Sequence, residues 1–485
     1  MSAGPLDPKT APAFPMAAKA AMGDSQLRSN VRHATDVIQA KRARVVDEMP
    51  DWQALREAGK QIREHTMRHL DFYLEQFEAN CTRAGGVVHW ARDAAEARRI
   101  VVSLVKASGS DEVIKIKSMT TEEIQLNAAL EAAGIQPYET DLAELIIQLG
   151  QDQPSHIVVP ALHKNRQQIR EIFQRTMHLP NLGDQPQDLA DAARLFLREK
   201  FLRVKTGVSG ANFLIAETGG VCVVESEGNG RMCLTLPETL ITIAGIDKVL
   251  PRYQDLEVTL QLLPRSATGE RMNPYNSIWT GVDPADGPRV FHIVLMDNAR
   301  TEILADEEAR QTLNCIRCGA CQNACPVYRQ TGGHAYGSVY AGPIGAILTP
   351  QLQEMHHAQS LPYASSLCGA CYEVCPVKIN IPEVLIHLRN KVVLQNTSGI
   401  AGLFDVEAAA MKAMAAIFRS ERRFRAAQRL GRIAETPLVR KDEHGLGWIS
   451  WLPGMLGGWS QTRDLREMPK ETFRDWWEKR SGHDN

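Results

Sequence analysis

The sequence predicts an α/β domain, followed by a small cysteine-rich α-helical domain and a helical C-terminal region. Three observations predict it. Helix-like and strand-like stretches alternate between His69 and Asp297, the pattern of a sheet covered by helices. Seven of the ten cysteines fall between Cys315 and Cys375. Beyond Asn396 the composition turns to alanine- and arginine-rich helix and then to tryptophan.

A chain of 485 residues, 44% hydrophobic and 23% charged, is sized for roughly two to four domains. Its 55 basic and 57 acidic residues leave a formal charge of -2, without the basic surface that marks nucleic-acid binders. No apolar run reaches the roughly 18 residues of a membrane span. The N-terminus lacks the charged start and apolar core of a secretory signal, so a cytoplasmic location is expected.

Taken in order, residues 1–24 are alanine- and proline-rich and are expected to be a disordered tail. Residues 25–68 read as a charged helical segment carrying little chemistry, as in Val37-Ile38 before Lys41-Arg42-Ala43-Arg44. The α/β domain is placed at 69–297. Within it Leu189, Ala192, Ala193 and Phe196 keep helical spacing, with Asp188 placed to cap the helix. Residues 156–160, 221–224 and 291–295 read as buried strands. Gly269, Pro274, Gly281, Pro284, Gly287 and Pro288 punctuate residues 265–289 as a long surface loop.

Three patches of this domain are candidates for binding. Residues 115–123, with Lys115 and Lys117, sit at a strand-to-helix junction that Thr120 or Thr121 would cap. Free N–H groups at such junctions favour anions, although a capped helix with solvated lysines explains the patch equally well. Gly207 to Asn212 and Glu217 to Gly220 are glycine-bearing turns that match neither nucleotide fingerprint. Cys81, Cys222 and Cys233 read as small core residues.

The cysteine domain is placed at 298–395. Cys315, Cys318, Cys321, Cys325 and Pro326 form C-x2-C-x2-C-x3-C-P, the run of [4Fe-4S] ferredoxins. Three thiolates within seven residues wrap three corners of one cubane only if the backbone turns tightly, which Gly319 permits. Cys368, Cys371, Cys375 and Pro376 repeat the last three positions, with Ser365 where the first cysteine would stand. In two-cluster ferredoxins the last cysteine of each run ligates the other cluster. That crossover gives one cluster to Cys315, Cys318, Cys321 and Cys375, and a second to Cys325, Cys368 and Cys371. One iron of the second then lacks a cysteine; Ser365, water, hydroxide or a partner would fill the corner, or the cluster is [3Fe-4S]. His334, beside Gly332 and Gly333, reads instead as a loop residue. Structural zinc needs only paired C-x2-C ligands and leaves the third cysteine and the trailing C-P unexplained. Such clusters move single electrons, so the residues alone describe an electron carrier joined to an α/β domain.

In the C-terminal region, 396–485, residues 408–418 read as helix, and Arg419, Arg422, Arg423, Arg425, Arg429 and Arg432 mark a basic one. Trp448, Trp451, Trp459, Trp476 and Trp477 follow. They offer a docking surface or a small tryptophan core beneath a solvated basic face.

The runs at 117–124, 154–161 and 207–212 resemble the lactate-utilisation (LUD) domain. The cysteine block with Tyr328, Gly332-Gly333-His334 and Tyr336-Gly337-Ser338, and the ending at 473–477, extend the likeness to nearly the whole chain from about residue 25. The chain thus resembles the lactate utilisation protein B family of iron–sulfur LUD-domain proteins. The resemblance implies a ribose-5-phosphate isomerase/CoA-transferase-like α/β fold and a ferredoxin-like domain with two clusters. It also implies partner subunits in a three-protein system oxidising L-lactate to pyruvate, a peripheral contact with an electron acceptor, and a second motif with three cysteines. Lysine and glutamate of the Lys117 and Glu217 patches are placed to line a pocket. The expected role is electron transfer; the alternative is a redox-sensing protein whose LUD domain binds a small ligand. An autonomous enzyme would rest on fold analogy alone.

Overall fold

The computed structural model describes residues 6–398, 406–461 and 463–481. It divides into two compact units, Met1–Val392 and Val393–Asn485.

The first unit is organised by a six-stranded, wholly parallel sheet. Its order is β1 (Val87–Ala91), β10 (Val290–Met296), β7 (Thr239–Gly245), β4 (Thr206–Ser209), β2 (Glu112–Lys115) and β3 (Gln136–Glu139). Parallel strands covered on both faces read as near-continuous apolar runs. β7, Thr-Leu-Ile-Thr-Ile-Ala-Gly, is buried throughout. Alternation divides its side chains between two cores. Leu240 and Ala244 join Phe291, Ile293 and Leu295 on one face; Ile241 and Ile243 join Val294, Val101 and Val105 on the other. The first core continues into the cysteine segment through Ile316, Tyr328, Ile347 and Leu385. One core therefore serves both regions.

A second sheet runs β8 (Val249–Leu250), β5 (Phe213–Ile215), β6 (Gly220–Glu225) and β9 (Tyr275–Trp279). β5 pairs parallel with β8 and antiparallel with β6, and β6 antiparallel with β9. The chain passes from β7 to β8 through a single 3-10 turn, Ile246–Lys248.

Several sequence expectations need correction. Residues 6–24 are not a disordered tail: Phe14–Met22 is a helix with Phe14 and Ala18 buried, and the Phe14 ring lies 4.9 Å from Tyr336. Residues 1–5 lie outside the described residues. Residues 156–160 form no strand, because His156 Nδ1 accepts the N–H groups of Val158 and Val159 and Ser155 N–H closes on Pro160 O. Those groups are then lost to any ladder. The helix Pro186–Arg203 starts after Gln185, with Pro186 in its first turn, so Asp188 is inside the helix rather than its cap. Ser118, not Thr120 or Thr121, caps Met119–Glu123. The proposed loop at 265–289 contains β9, which finds its partner in β6 across about fifty residues that local pattern cannot bridge.

The helices Ser25–Asp47 and Trp52–Arg68 pack against the cysteine segment, through Arg28 on Gln330 and Lys378 on Glu57. In the second unit, no residue of the helices Val406–Phe418 and Glu421–Glu435 is buried. A small sheet orders β11 (Arg440–Lys441), β12 (Gly447–Ile449) and β13 (Leu465–Arg466). Trp451, Trp459 and Trp477 are exposed, so no tryptophan core forms from them. Among the described residues no helix is long and apolar enough to cross a membrane.

Candidate iron–sulfur centre

Two matching turns build the centre. Gly319 (φ +74°) opens the helix Ala320–Ala324, and Gly369 (φ +83°) opens Ala370–Val374. A side chain at that φ is strained, so glycine fits both positions. Arg317 (φ +60°) and Leu367 (φ +55°), two residues ahead, also adopt the left-handed region. The two short helices pack against each other, which brings motifs 50 residues apart into one structure. Cys325 and Cys375 both follow these helices in extended conformation (ψ 119° and 118°).

Cys315, Cys318, Cys321 and Cys375 line one narrow cavity walled by Ile316, Ile344, Pro376, Val377, Ile379 and Ile381. Cys325, Cys368 and Cys371 form a second group, in which Cys371 feels Cys325 and Cys368. Cys368 is exposed, whereas Cys325 and Cys371 are buried. None of the ten cysteines forms a disulfide.

Backbone N–H groups point at the sulfurs: Arg317 N donates to Cys315 Sγ at 3.4 Å, Tyr328 N to Cys325 Sγ at 3.5 Å and Ile379 N to Cys375 Sγ at 3.3 Å. Burial, then neighbouring thiols, push Cys318 and Cys321 upward. Burial pushes Cys375 to about 11 and Cys371 to about 12. The exposed Cys368 is lowered, chiefly by the Ala370 N–H. Buried thiolates packed together require a cationic centre between them. The donor set, its N–H donors and its spacing fit iron–sulfur clusters.

Ser365 repeats the local geometry of Cys315. Its Oγ accepts the N–H of Leu367 at 3.1 Å, as Cys315 Sγ accepts that of Arg317. His334 is held elsewhere: its Nε2 meets Gln153 O at 2.8 Å and its ring lies 4.7 Å from His163. Asp152, His163 and His334 converge there, but Lys164 pairs with Asp152 and Ser155 with His163.

Sequence reasoning missed the basic shell around the four-cysteine cavity. Arg42 donates to Val374 O at 3.1 Å, and Arg56 to Cys375 O at 2.9 Å. The fully buried Arg63 donates to Val249 O and Leu313 O, both at 2.9 Å, and burial lowers it to about 10. Arg317 lies over the Tyr340 ring at 5.2 Å and reaches Asp247 at 3.4 Å. Cys315 is among the charges that act on Arg63, Lys248 and Arg317. Arg42, Arg56 and Arg63 lie in charged helices whose arginines read as solvated, and no local signal separates them from their neighbours.

A larger cavity in the α/β region adjoins this centre. Lys117, Ser118, Asn212, Glu227, Lys248 and Arg317 are among its lining residues. Residues of all three resembling runs, Lys117, Ile157 and Asn212, thus line one cavity. Gly210 is required for closure, since a Cβ there would meet Ser118 Oγ at 2.2 Å. Lys115 is not free to bind a ligand: it is buried and paired with Glu139 at 2.7 Å and Glu122 at 3.0 Å. Glu217 lines a different cavity, with His65, Tyr73 and Arg252. Cys81, Cys222 and Cys233 are buried, and burial raises each, to about 11, 12 and 12.

Comparison with known proteins adds to this geometry. Residues 74–296 match the LUD domain, 311–379 a 4Fe-4S dicluster domain, and 393–482 the C-terminal region of lactate utilisation protein B. The chain is 42% identical over 461 residues to lactate utilization protein B 1 of Bacillus mycoides, covering 94% of each chain. It is 42% identical over 460 residues to lactate utilization protein B of an Exiguobacterium species, covering 94% of this chain and 95% of that one. A DUF162 family protein of known structure from Deinococcus radiodurans aligns with 47% of the chain at 13% identity and a TM-score of 0.27.

Proposed function

The chain belongs to the lactate utilisation protein B family, and on that premise we propose that it is the iron–sulfur electron-transfer subunit of a multi-protein system oxidising L-lactate to pyruvate. Clusters of this kind supply one-electron transfer. Cys315, Cys318, Cys321 and Cys375 would hold the first [4Fe-4S] cluster. Cys325, Cys368 and Cys371 would hold the second, with Ser365 at its remaining corner. The observation that carries this reading is the grouping of seven thiols into a set of four, with Cys315 half-buried and the other three buried, and a set of three in which Cys368 is exposed.

The protein's own residues do the supporting work. Backbone N–H groups hold the sulfurs, and the Arg42, Arg56, Arg63 and Arg317 guanidinium groups compensate their negative charge. The apolar wall of Ile316, Ile344 and Ile379 keeps water from the four-cysteine cavity. Exposed Cys368 puts the second set where another protein can approach. The exposed tryptophans of the C-terminal unit offer aromatic contact area for partner subunits, and a cytoplasmic setting completes the reading.

Iron and sulfide analysis of anaerobically prepared protein tests the clusters, with about eight of each expected for two [4Fe-4S] centres. A colourless, zinc-loaded protein ends the proposal. The role is tested by adding L-lactate and following reduction by EPR: reduction is expected only with the partner subunits present. Reduction of the chain alone supports an autonomous enzyme, and none under either condition supports the redox-sensing alternative.

A further inference from the structure

We infer that the second unit docks reversibly on an anionic lipid surface, through the outward side of the helix Glu421–Glu435. The inference goes beyond the electron-transfer reading and holds whether or not clusters are bound.

One side of that helix is already occupied within its own unit. The Phe424 ring lies 5.6 Å from that of Phe418 and under Arg474 at 5.4 Å. Gly431 backs onto Met468, and Arg425 pairs with Glu421 and Glu478. At about 100° per residue, Ala426, Leu430 and Ile433 share the opposite side. Leu430 is 67% and Ile433 71% exposed.

The same turn geometry puts Arg422 and Arg429 on one flank of this apolar ridge and Arg423 on the other. All three arginines are exposed, and among the described residues no carboxylate pairs with them. Neither acidic residue of the helix, Glu421 or Glu435, falls on that side. An apolar ridge between arginine shoulders is the arrangement of a helix lying in a membrane interface. The apolar side chains enter the acyl boundary, while the long arginine stems follow them and keep their charges at the headgroups.

Charge selects the kind of surface. Residues 406–435 hold seven basic residues against three acidic, in a chain whose overall charge is -2. The remainder of the chain is therefore net acidic, so an anionic bilayer attracts this segment and repels the rest. The neighbouring helix Val406–Phe418 adds Met411, Met414 and Phe418, all exposed and spaced to share one side. Among the described side chains from 406 to 481 only Gly447 and Ile449 are buried, so these apolar groups have no core of their own to enter. The tryptophans offered to partner subunits lie outside both helices.

The experiment is sedimentation of the full-length chain with vesicles of mixed phosphatidylglycerol and phosphatidylcholine, and in a separate arm with phosphatidylcholine alone. Saturable binding to the anionic vesicles is expected at about 0.1 M salt and is lost at about 0.5 M, where the charges are screened. Joint replacement Arg422→Gln, Arg423→Gln and Arg429→Gln is expected to weaken binding at least about tenfold. Leu430→Gln with Ile433→Gln is expected to weaken it comparably, through lost apolar burial. These side chains are exposed and glutamine is a good helix former, so circular dichroism is expected to stay unchanged. Arg422→Lys, Arg423→Lys and Arg429→Lys together keep the charge and are expected to leave vesicle binding intact, whereas a protein socket gripping guanidinium groups would lose them. Absence of saturable binding to the anionic vesicles, equal binding to the neutral ones, full binding by either glutamine variant or loss of binding in the lysine variant overturns the inference. So does loss of co-purification with partner subunits in the glutamine variants without vesicle binding by the parent, which assigns the ridge to a protein.

Discussion

Arg56 donates through Nε to the carbonyl oxygen of Cys375 at 2.9 Å and through Nη2 to that of Tyr372 at 3.0 Å. A residue of the N-terminal helices thus fixes the last cysteine of the second motif beside the first motif. Arg56 is 5% exposed, and its removal leaves both carbonyls without their donor. Arg56→Leu is expected to lose about 2 kcal/mol of stability and to make the first cluster harder to reduce, because a cation that favours the more negative state is gone. Denaturant unfolding and an EPR redox titration check both; an unchanged midpoint potential refutes the electrostatic half.

The crossover makes paired cysteine variants diagnostic. Cys375→Ser, in the second motif, is expected to remove the EPR signal of the cluster held mainly by the first. Cys325→Ser, in the first motif, is expected to perturb the other. The reverse pattern, each variant damaging the cluster of its own motif, refutes the ligand sets.

Ser365 has a separate signature. Ser365→Cys completes a four-thiolate set and is expected to slow oxidative iron loss and alter the EPR line shape of the second cluster. Ser365→Ala is expected to hasten that loss. Identical spectra for both variants and the parent place Ser365 outside the coordination sphere.

The two hinge glycines respond unequally. A Cβ on Gly369 meets nothing within 4 Å, whereas one on Gly319 approaches Val158 Cγ2 at 3.1 Å. Gly369→Ala is expected to cost about 1 kcal/mol through backbone strain, and Gly319→Ala more, through strain and crowding together. Urea unfolding ranks them, and equal costs argue against the Val158 contact.

His156 predicts an acid sensitivity. Burial, and then Lys117, lower it from its ordinary 6.5 to about 3, while Asn323 partly restores it. Between those values the unfolded chain binds a proton that the folded chain does not, so stability rises with pH across the window and falls on acidification. Wild type is expected to lose more stability than His156→Gln between pH 7 and 5. Parallel losses in the two proteins refute the assignment.

What the sequence determined by itself is local. Thiol spacing set by tight turns announces iron–sulfur ligands, because Cys315, Cys318 and Cys321 must wrap three corners of one centre within seven residues. Apolar runs such as 221–224 and 291–295 become β6 and β10, since burial on both faces leaves few polar positions. The same local reading failed at 156–160, where a histidine ring takes the backbone donors, and at 265–289, where β9 depends on a distant partner.

Only the tertiary structure decided which charged residues matter. Arg42, Arg56 and Arg63 look no different from their solvated neighbours until two helices lay them against the cysteine segment. Lys248 becomes a buried cation lining a cavity only once β7, β4 and β2 stand side by side. Spacing along a chain fixes what one turn can grip; burial and long-range pairing fix which charges lose their water, and no local pattern records that.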